Sequence, residues 1–406
     1  MYDQLHAAGP FHRVVLPGGL PALAVTGHAE VRSAARDGRL VHDPRRVVGA
    51  GHGIASRRYP LDGVSASRHV LSADAADHVR LRALLRPFFT PEAIARHAPV
   101  VRRSVGRALD RFAEHGGGDL VAHLARPVAT RTVAHLLGQS VEEAKTLVGL
   151  SLRLSSCTDP QEESMVAATA AMSKALAALV ARARRRPGDD LATALVAAYR
   201  RGLMSGDELL GMLSFVVFAA MDSTLAVIPA GAVHLLDEAH SEVRQALAAG
   251  LGDEDLVIEE TLRLAAPFTY GVWRFAAEPM TLGGHQLDVG HLVVLCFPAA
   301  NVDPKAWPSA WQLRPGRPGA GRHLSFGHGP HFCPGAGLGR LQVRTALVEL
   351  FRRFPELRLG VAAHRLSGGA NVARHFSSVP VLTNGPDGGG KAAEPVSEAG
   401  TPGVRA

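Results

Sequence analysis

The sequence predicts a mainly α fold with a minor β region, an α+β chain organised as a single interlocked domain. Three observations predict it. From about Ala75 to Ala265 the chain is rich in Ala, Leu and Arg, with apolar residues at helical spacing. Short strand signals lie on either side of that stretch. No internal repeat or convincing linker divides the 406 residues, although length alone permits one large or two to three small domains. A 47% hydrophobic, 20% charged composition is that of a globular chain able to bury a large core. The domain is expected to span residues 1–384. Residues 385–406, rich in Gly, Pro, Ala and Ser, are expected to form a disordered tail.

In chain order, His12–Leu16 and Ala22–Thr26 flank Pro17-Gly18-Gly19-Leu20-Pro21, which signals a hairpin. A helix is expected from near His28. The long helical region is punctuated at Thr90-Pro91, Gly116-Gly117-Gly118, Asp159-Pro160 and Pro187-Gly188. After Pro267 the pattern changes. Residues 281–287 read as a second hairpin and Leu292–Leu295 as a buried strand.

Composition narrows the function classes. The formal charge of +7 is carried mainly by arginine, the lysines being Lys145, Lys174, Lys305 and Lys391. No zinc pattern, stacking motif or dense basic run supports nucleic-acid binding; a solvated surface with one basic docking face fits better. Cys157, Cys296 and Cys333 are odd in number and widely spaced, which fits a reducing cytosol and no disulfide framework. The first residues lack a basic and then apolar leader, so no signal peptide is expected. Leu209–Leu236 is long and apolar, but Asp222 at its middle would be costly in a bilayer. A buried central helix, no membrane association and a cytoplasmic location are expected.

Cys333 carries the strongest chemical signal. It lies in Phe326-Gly327-His328-Gly329-Pro330-His331-Phe332-Cys333-Pro334-Gly335, just before the apolar-periodic run 341–350. The sulfur is expected at a helix N-terminus, where N–H groups favour a thiolate. The alternative is a small buried hydrophobe. Phe326, Gly329, Cys333 and Gly335 fill F-x-x-G-x-x-x-C-x-G, and this stretch resembles the haem-binding loop of the cytochrome P-450 superfamily. The resemblance runs from about Tyr2 to Leu382. It implies the fold of that family, haem b as cofactor and Cys333 as iron ligand.

Further residues take their roles from the same resemblance. Glu260 and Arg263, three apart on a helical stretch, can pair; the resemblance makes them a buried structural brace. His78 and Arg82 share a helical face, and Arg82 suits a carboxylate. Within Asp74–Arg82 and Phe88-Phe89-Thr90-Pro91 they resemble the propionate-binding helix of the family. Arg274, in Arg274-Phe275-Ala276-Ala277-Glu278, and His331 complete the implied propionate donors. His323 is read as structural.

Ala219-Ala220-Met221-Asp222-Ser223-Thr224 resembles the oxygen-side helix of the family, A-G-x-[D/E]-T-T. Dioxygen cleavage consumes protons, and an acid beside an alcohol can supply them. Asp222 and Ser223 are therefore the expected proton couriers, with Thr224 a possible sharer. Three departures stand out. Ala220 replaces glycine and Ser223 replaces threonine, losing the methyl that pins the rotamer. Pro229 removes a helix hydrogen bond, which predicts a kink. Gly339, where the family has alanine, is expected to cost about 1 kcal/mol of helix propensity.

Substrate contacts are expected from residues 47–70, 152–174, 218–223, 268–272 and 374–376. Phe268, Tyr270, Val272 and Phe376 would form an apolar wall, with Arg374 and His375 meeting a polar group. The implied function is a monooxygenase acting on a small, mostly apolar organic molecule, a secondary-metabolite intermediate, by hydroxylation or epoxidation. Electrons would come from a separate ferredoxin or flavodoxin with its reductase. Oxidative coupling, peroxide-driven oxidation, and a non-catalytic haem-binding sensor remain the alternatives; DNA binding is a weaker one.

Overall fold

A computed structural model describes residues 1–16, 19–47, 68–156, 163–268, 272–370 and 373–383. The expected disordered tail, the centre of the 47–70 segment, Cys157 and Tyr270 lie outside the described residues.

The chain opens with a short helix, α1 (Tyr2–Ala8), then the hairpin β1 (Phe11–Leu16) and β2 (Leu20–Val25), α2 (His28–Ala34) and β3 (Leu40–Val41). The helical body follows: α3 (Ala75–Leu85), α4 (Pro91–His115), β4 (Gly117–Asp119), α5 (Arg126–Leu136), α6 (Val141–Ser156), α7 (Glu163–Arg185), α8 (Leu191–Arg200), α9 (Gly206–Leu236), α10 (Ser241–Ala248) and α11 (Glu254–Leu264). Strands β5 (Val272–Ala276), β6 (Met280–Leu282), β7 (His285–Leu287) and β8 (Leu292–Leu295) lead to α12 (Phe297–Ala300) and α13 (Ala336–Arg353). The chain ends in β9 (Arg358–Leu359), β10 (Gly368–Ala370), β11 (Arg374–Phe376) and β12 (Pro380–Leu382).

The hairpin joins a five-stranded sheet of order β1-β2-β8-β5-β3, in which only the β2–β8 pair is parallel. This places β2 beside a strand 270 residues later, Ala22 opposite Leu292, so the sheet cannot be a separate N-terminal unit. Residues 280–287 form the predicted second hairpin.

Local chemistry explains the breaks. Thr90 caps α4, accepting from the Ala93 N–H with Pro91 in the first turn. At the other end, Gly116 takes the left-handed conformation, φ 69°. Ser205 and Glu208 close a capping box on α9. Nearly every residue of the middle of α9 is buried, including Asp222. It runs unbroken through Pro229, between α5, α11 and α13. A Cβ on Gly231 would come within 2.7 Å of Thr261 and 2.9 Å of Leu347, so glycine lets three helices meet closely there. By length and composition α7 and α9 could each cross a membrane, but most of the apolar window of α9 is buried inside the protein.

Candidate functional site

The loop carrying Cys333 is held by its own backbone. Gly327 N–H donates to Leu324, Phe332 N–H to Gly329, and Cys333 N–H to Phe326 at 2.8 Å. Gly327 and Gly329 take φ of +74° and +75°, and a Cβ on Gly329 would lie 3.0 Å from the Ala35 carbonyl. Helix α13 begins at Ala336 with Gly335 as its cap. The sulfur lies just ahead of the helix, at its N-terminal end as expected, with the Gly335 N–H directed to it. Burial pushes the Cys333 thiol up, against the opposing pull of the Gly335 N–H and the charges of Arg82 and Arg340. Phe326 packs beneath the Arg340 guanidinium, 4.5 Å from its ring centre. A Cβ on Gly339 would lie 3.2 Å from that ring, which gives glycine a packing reason at this position.

Around this loop the fold gathers donors from four distant segments. His78 on α3, Arg274 on β5 and His331 in the loop come together, joined by His42 at the end of β3. The His331 ring lies 3.6 Å from that of His42 and 4.0 Å from that of His78, centre to centre. Arg274 donates to His42 Nδ1 at 3.2 Å. The Asp74 carboxylate fixes this corner by accepting from the His42 and Asp43 backbone N–H groups at 2.8–3.0 Å. Arg82 lies near enough for its charge to act on His78, His331 and Cys333.

The electrostatics of this cluster point one way. Burial, followed by the neighbouring His78, Arg274 and Arg82, drives His331 down to about 2. Burial, then Arg274 and the other imidazoles, holds His42 well below the ordinary histidine range. The Nε2 atoms of His42 and His78 are buried without a partner. Buried polar atoms are normally satisfied. A cluster of cationic and imidazole donors with orphaned nitrogens, next to a lone cysteine, fits a group that carries carboxylates and takes a sulfur ligand. His42 was not foreseen. A single histidine at a strand end has no periodic or motif signal, and only the β3–β5 pairing brings it to Arg274.

Across the site runs α9. Phe215, Ala219, Ala220 and Ser223 are only partly buried within an otherwise buried stretch, and their spacing puts them on one face. Ser223 lies on this open face, its hydroxyl donating to the Ala219 carbonyl at 2.8 Å. Thr224 does not. Its hydroxyl lies 2.9 Å from the Ala220 carbonyl and 3.2 Å from Gln342 Oε1 on α13, and Gln342 donates in turn to Thr132 on α5. That geometry ties three helices together and sets the Thr224 hydroxyl in the packing between them. Asp222 is fully buried, and its Oδ1 lies 3.2 Å from His375 Nε2 on β11.

Beneath the loop is a buried ionic brace. Glu260 is gripped by Arg263 through Nε at 2.8 Å and Nη2 at 3.0 Å, and by Arg317 at 3.0 Å. Arg263 also donates to the carbonyls of Asn301, Ala310 and Gln312. Burial opposes the Glu260 charge, but these partners prevail and hold the carboxyl below its ordinary value. Glu259 is likewise held down, at about 2, because hydrogen bonds from Arg340 and His323 outweigh burial. The brace thus links α11 to the cysteine loop and α13. Arg317 and Glu259 were not singled out beforehand; charges set among prolines or beside a stronger motif give little warning.

Of the expected substrate contacts, Phe218 is buried, while Phe268, Val272 and Phe376 are partly buried. The Arg374 side chain lies outside the described residues.

Fold and site together define an oxidoreductase of the haem-thiolate class, mostly helical, with small sheets at its margin. A family model for cytochrome P450 matches residues 254–357. Cytochrome P450 107B1 of Saccharopolyspora erythraea is 32% identical over 92% of each chain. The cytochrome P450 monooxygenase PikC of Streptomyces venezuelae is 31% identical, covering 94% of this chain and 89% of that one. Among solved structures, the testosterone-bound CYP154C4 of Streptomyces sp. matches with a TM-score of 0.87 and 32% identity, over 95% of this chain and 96% of that one. The tirandamycin C-bound monooxygenase TamI matches with a TM-score of 0.84 and 31% identity, over 94% and 96%. The chain belongs to the cytochrome P450 family and is a P450 monooxygenase, and the family implies haem as its cofactor.

Proposed function

We propose that the protein hydroxylates or epoxidises a small, mostly apolar secondary-metabolite intermediate. Relatives named for polyketide biosynthesis and for binding tirandamycin C support that substrate class. Haem, when bound, supplies a redox-active iron at which dioxygen is activated for insertion of one oxygen atom. Cys333 provides the thiolate ligand. His78, Arg82, Arg274, His331 and His42 hold the carboxylates of the cofactor, and Phe326 and Gly335 shape the loop around the sulfur. Electrons come from a separate ferredoxin or flavodoxin with its reductase.

The observation that carries the oxygen-activating reading is the pairing of functions on α9: Ser223 on the open face, and next to it Asp222, fully buried with one oxygen unpartnered. Asp222 offers a buried carboxyl able to carry protons, and Ser223 presents a hydroxyl to the site. Thr224 serves the helix packing instead.

The reduced protein should give the carbon monoxide difference spectrum of thiolate ligation, and Cys333→Ser should lose it. Ser223→Ala should lower the fraction of electrons recovered in product. Full turnover with peroxide alone, and none with a ferredoxin and its reductase, would replace the oxygen-activating reading with a peroxide-driven one. Absence of turnover with every donor would favour a sensor.

A further inference from the structure

Strand β11 carries a side chain to α9. His375 Nε2 lies 3.2 Å from Asp222 Oδ1. Its backbone is fixed on three sides. Strand β11 pairs with β10, setting His375 opposite Gly369. The His375 N–H donates to the Ala373 carbonyl at 3.1 Å, and Ala373 bridges to Phe268. A Cβ on Gly368 would collide with the His375 carbonyl, so the two strands approach as closely as glycine allows.

Exposure changes along the pair. The His375 side chain is 23% exposed and that of Asp222 is 0% exposed. Each group also has one spare atom, since His375 Nδ1 and Asp222 Oδ2 are buried without partners. Among the described residues, no other makes a hydrogen bond or ion pair to the Asp222 side chain. An imidazole can accept a proton on one nitrogen and release another from the second. A carboxylate can accept a proton on one oxygen and, by rotating, donate that O–H to a different neighbour.

We propose that His375 is the positioning and proton-feeding partner of Asp222, the inlet of a two-residue relay from the substrate side of the molecule. The proposal rests on the reading that Asp222 supplies protons for oxygen activation. A proton taken up at Nδ1 is matched by release of the Nε2 proton to Asp222 Oδ1, and Asp222 hands that same proton on after its carboxyl rotates, so each group takes one proton and gives one. No electrons move in this step. The two protons consumed per oxygen inserted match the two electrons that the redox partner supplies, one oxygen atom leaving as water.

The test compares the holoenzyme with His375→Gln, Asp222→Asn and the double variant. Glutamine keeps a hydrogen bond to the carboxylate but cannot relay. His375→Gln should lower product turnover roughly tenfold or more, raise the share of electrons lost to peroxide, and enlarge the solvent deuterium isotope effect. The double variant should be no slower than Asp222→Asn alone. Urea unfolding of the four proteins should show a non-additive pair, which a contact in solution requires. If His375→Gln turns over normally while Asp222→Asn is slowed, the His375 role is overturned and the Asp222 reading stands. If neither is slowed, both fall. Multiplicative losses, a change confined to substrate affinity, or additive unfolding energies would each overturn the relay.

Discussion

The imidazole of His42 lies against that of His331, ring centres 3.6 Å apart, with the buried Nε2 of His42 unpartnered. Two rings this close, His42 buried and His331 partly so, both beside Arg274, are held neutral. A neutral imidazole can still donate one hydrogen bond, and a haem carboxylate is the natural acceptor. A hydrogen bond to a charged group contributes about 1.5–3 kcal/mol. His42→Phe should therefore speed loss of haem to apomyoglobin by roughly ten- to a hundredfold, with the thiolate spectrum intact. An unchanged transfer rate would remove His42 from the donor set.

The brace beneath the cysteine loop makes a different prediction. Glu260 and Arg263 are both 0% exposed. Burying two charges is costly, but removing one partner is worse, because the other charge stays buried and uncompensated. Arg263→Ala should cost about 3–5 kcal/mol in urea unfolding. Arg263 makes two hydrogen bonds to Glu260 and Arg317 makes one, so the loss should exceed that of Arg317→Ala. Equal losses would mean that the two arginines share the carboxylate evenly.

These two sites differ in how much the chain discloses. Cys333, His331 and Arg263 stand in local patterns whose spacing survives folding, and so were legible. The helices were legible for the same reason, since caps such as Thr90-Pro91 and Ser205…Glu208 are local. His42, Arg317, Gln342 and the His375–Asp222 contact were not. Each depends on a partner 50 to 230 residues away, brought close by strand pairing or helix crossing. The contact of Thr224 with Gln342 was not legible either, because a hydroxyl beside Ser223 looks equivalent in sequence. On a helix, one residue turns the side chain by about 100°, from the open face into the packing between helices.

A pH effect follows from His97, buried on α4 with its ring Nδ1 3.0 Å from that of His135. Burial, then His135 and Arg96, lower it to about 4 from the unfolded value of 6.5. Between those values the unfolded chain binds a proton that the folded chain refuses. Stability is therefore complete above 6.5 and falls as pH drops toward 4. One such group contributes at most about 1.4 kcal/mol per pH unit. His97→Gln should make the dependence between pH 6.5 and 5 shallower by up to that amount, read by urea unfolding. This window lies above the range in which the carboxylates protonate. A slope identical to wild type would mean that His97 titrates freely in the folded protein.

Thr224 and Ser223 can be separated by substitution. Thr224→Val keeps the shape and removes the hydroxyl, which leaves the buried Gln342 Oε1 without that donor. An unsatisfied buried acceptor costs about 1–3 kcal/mol. The variant should unfold at lower temperature yet deliver the same fraction of electrons into product. Ser223→Ala should do the reverse, because its hydroxyl faces the open side of α9 and its helix bond to Ala219 is local. Thermal unfolding and product yield per electron, measured on both variants, give a crossed pattern if the two hydroxyls divide their work in this way. A loss of product yield in Thr224→Val, with stability retained, would return Thr224 to proton delivery. Its hydroxyl would then have to leave Gln342 during turnover, a movement that a Gln342→Leu variant should make easier.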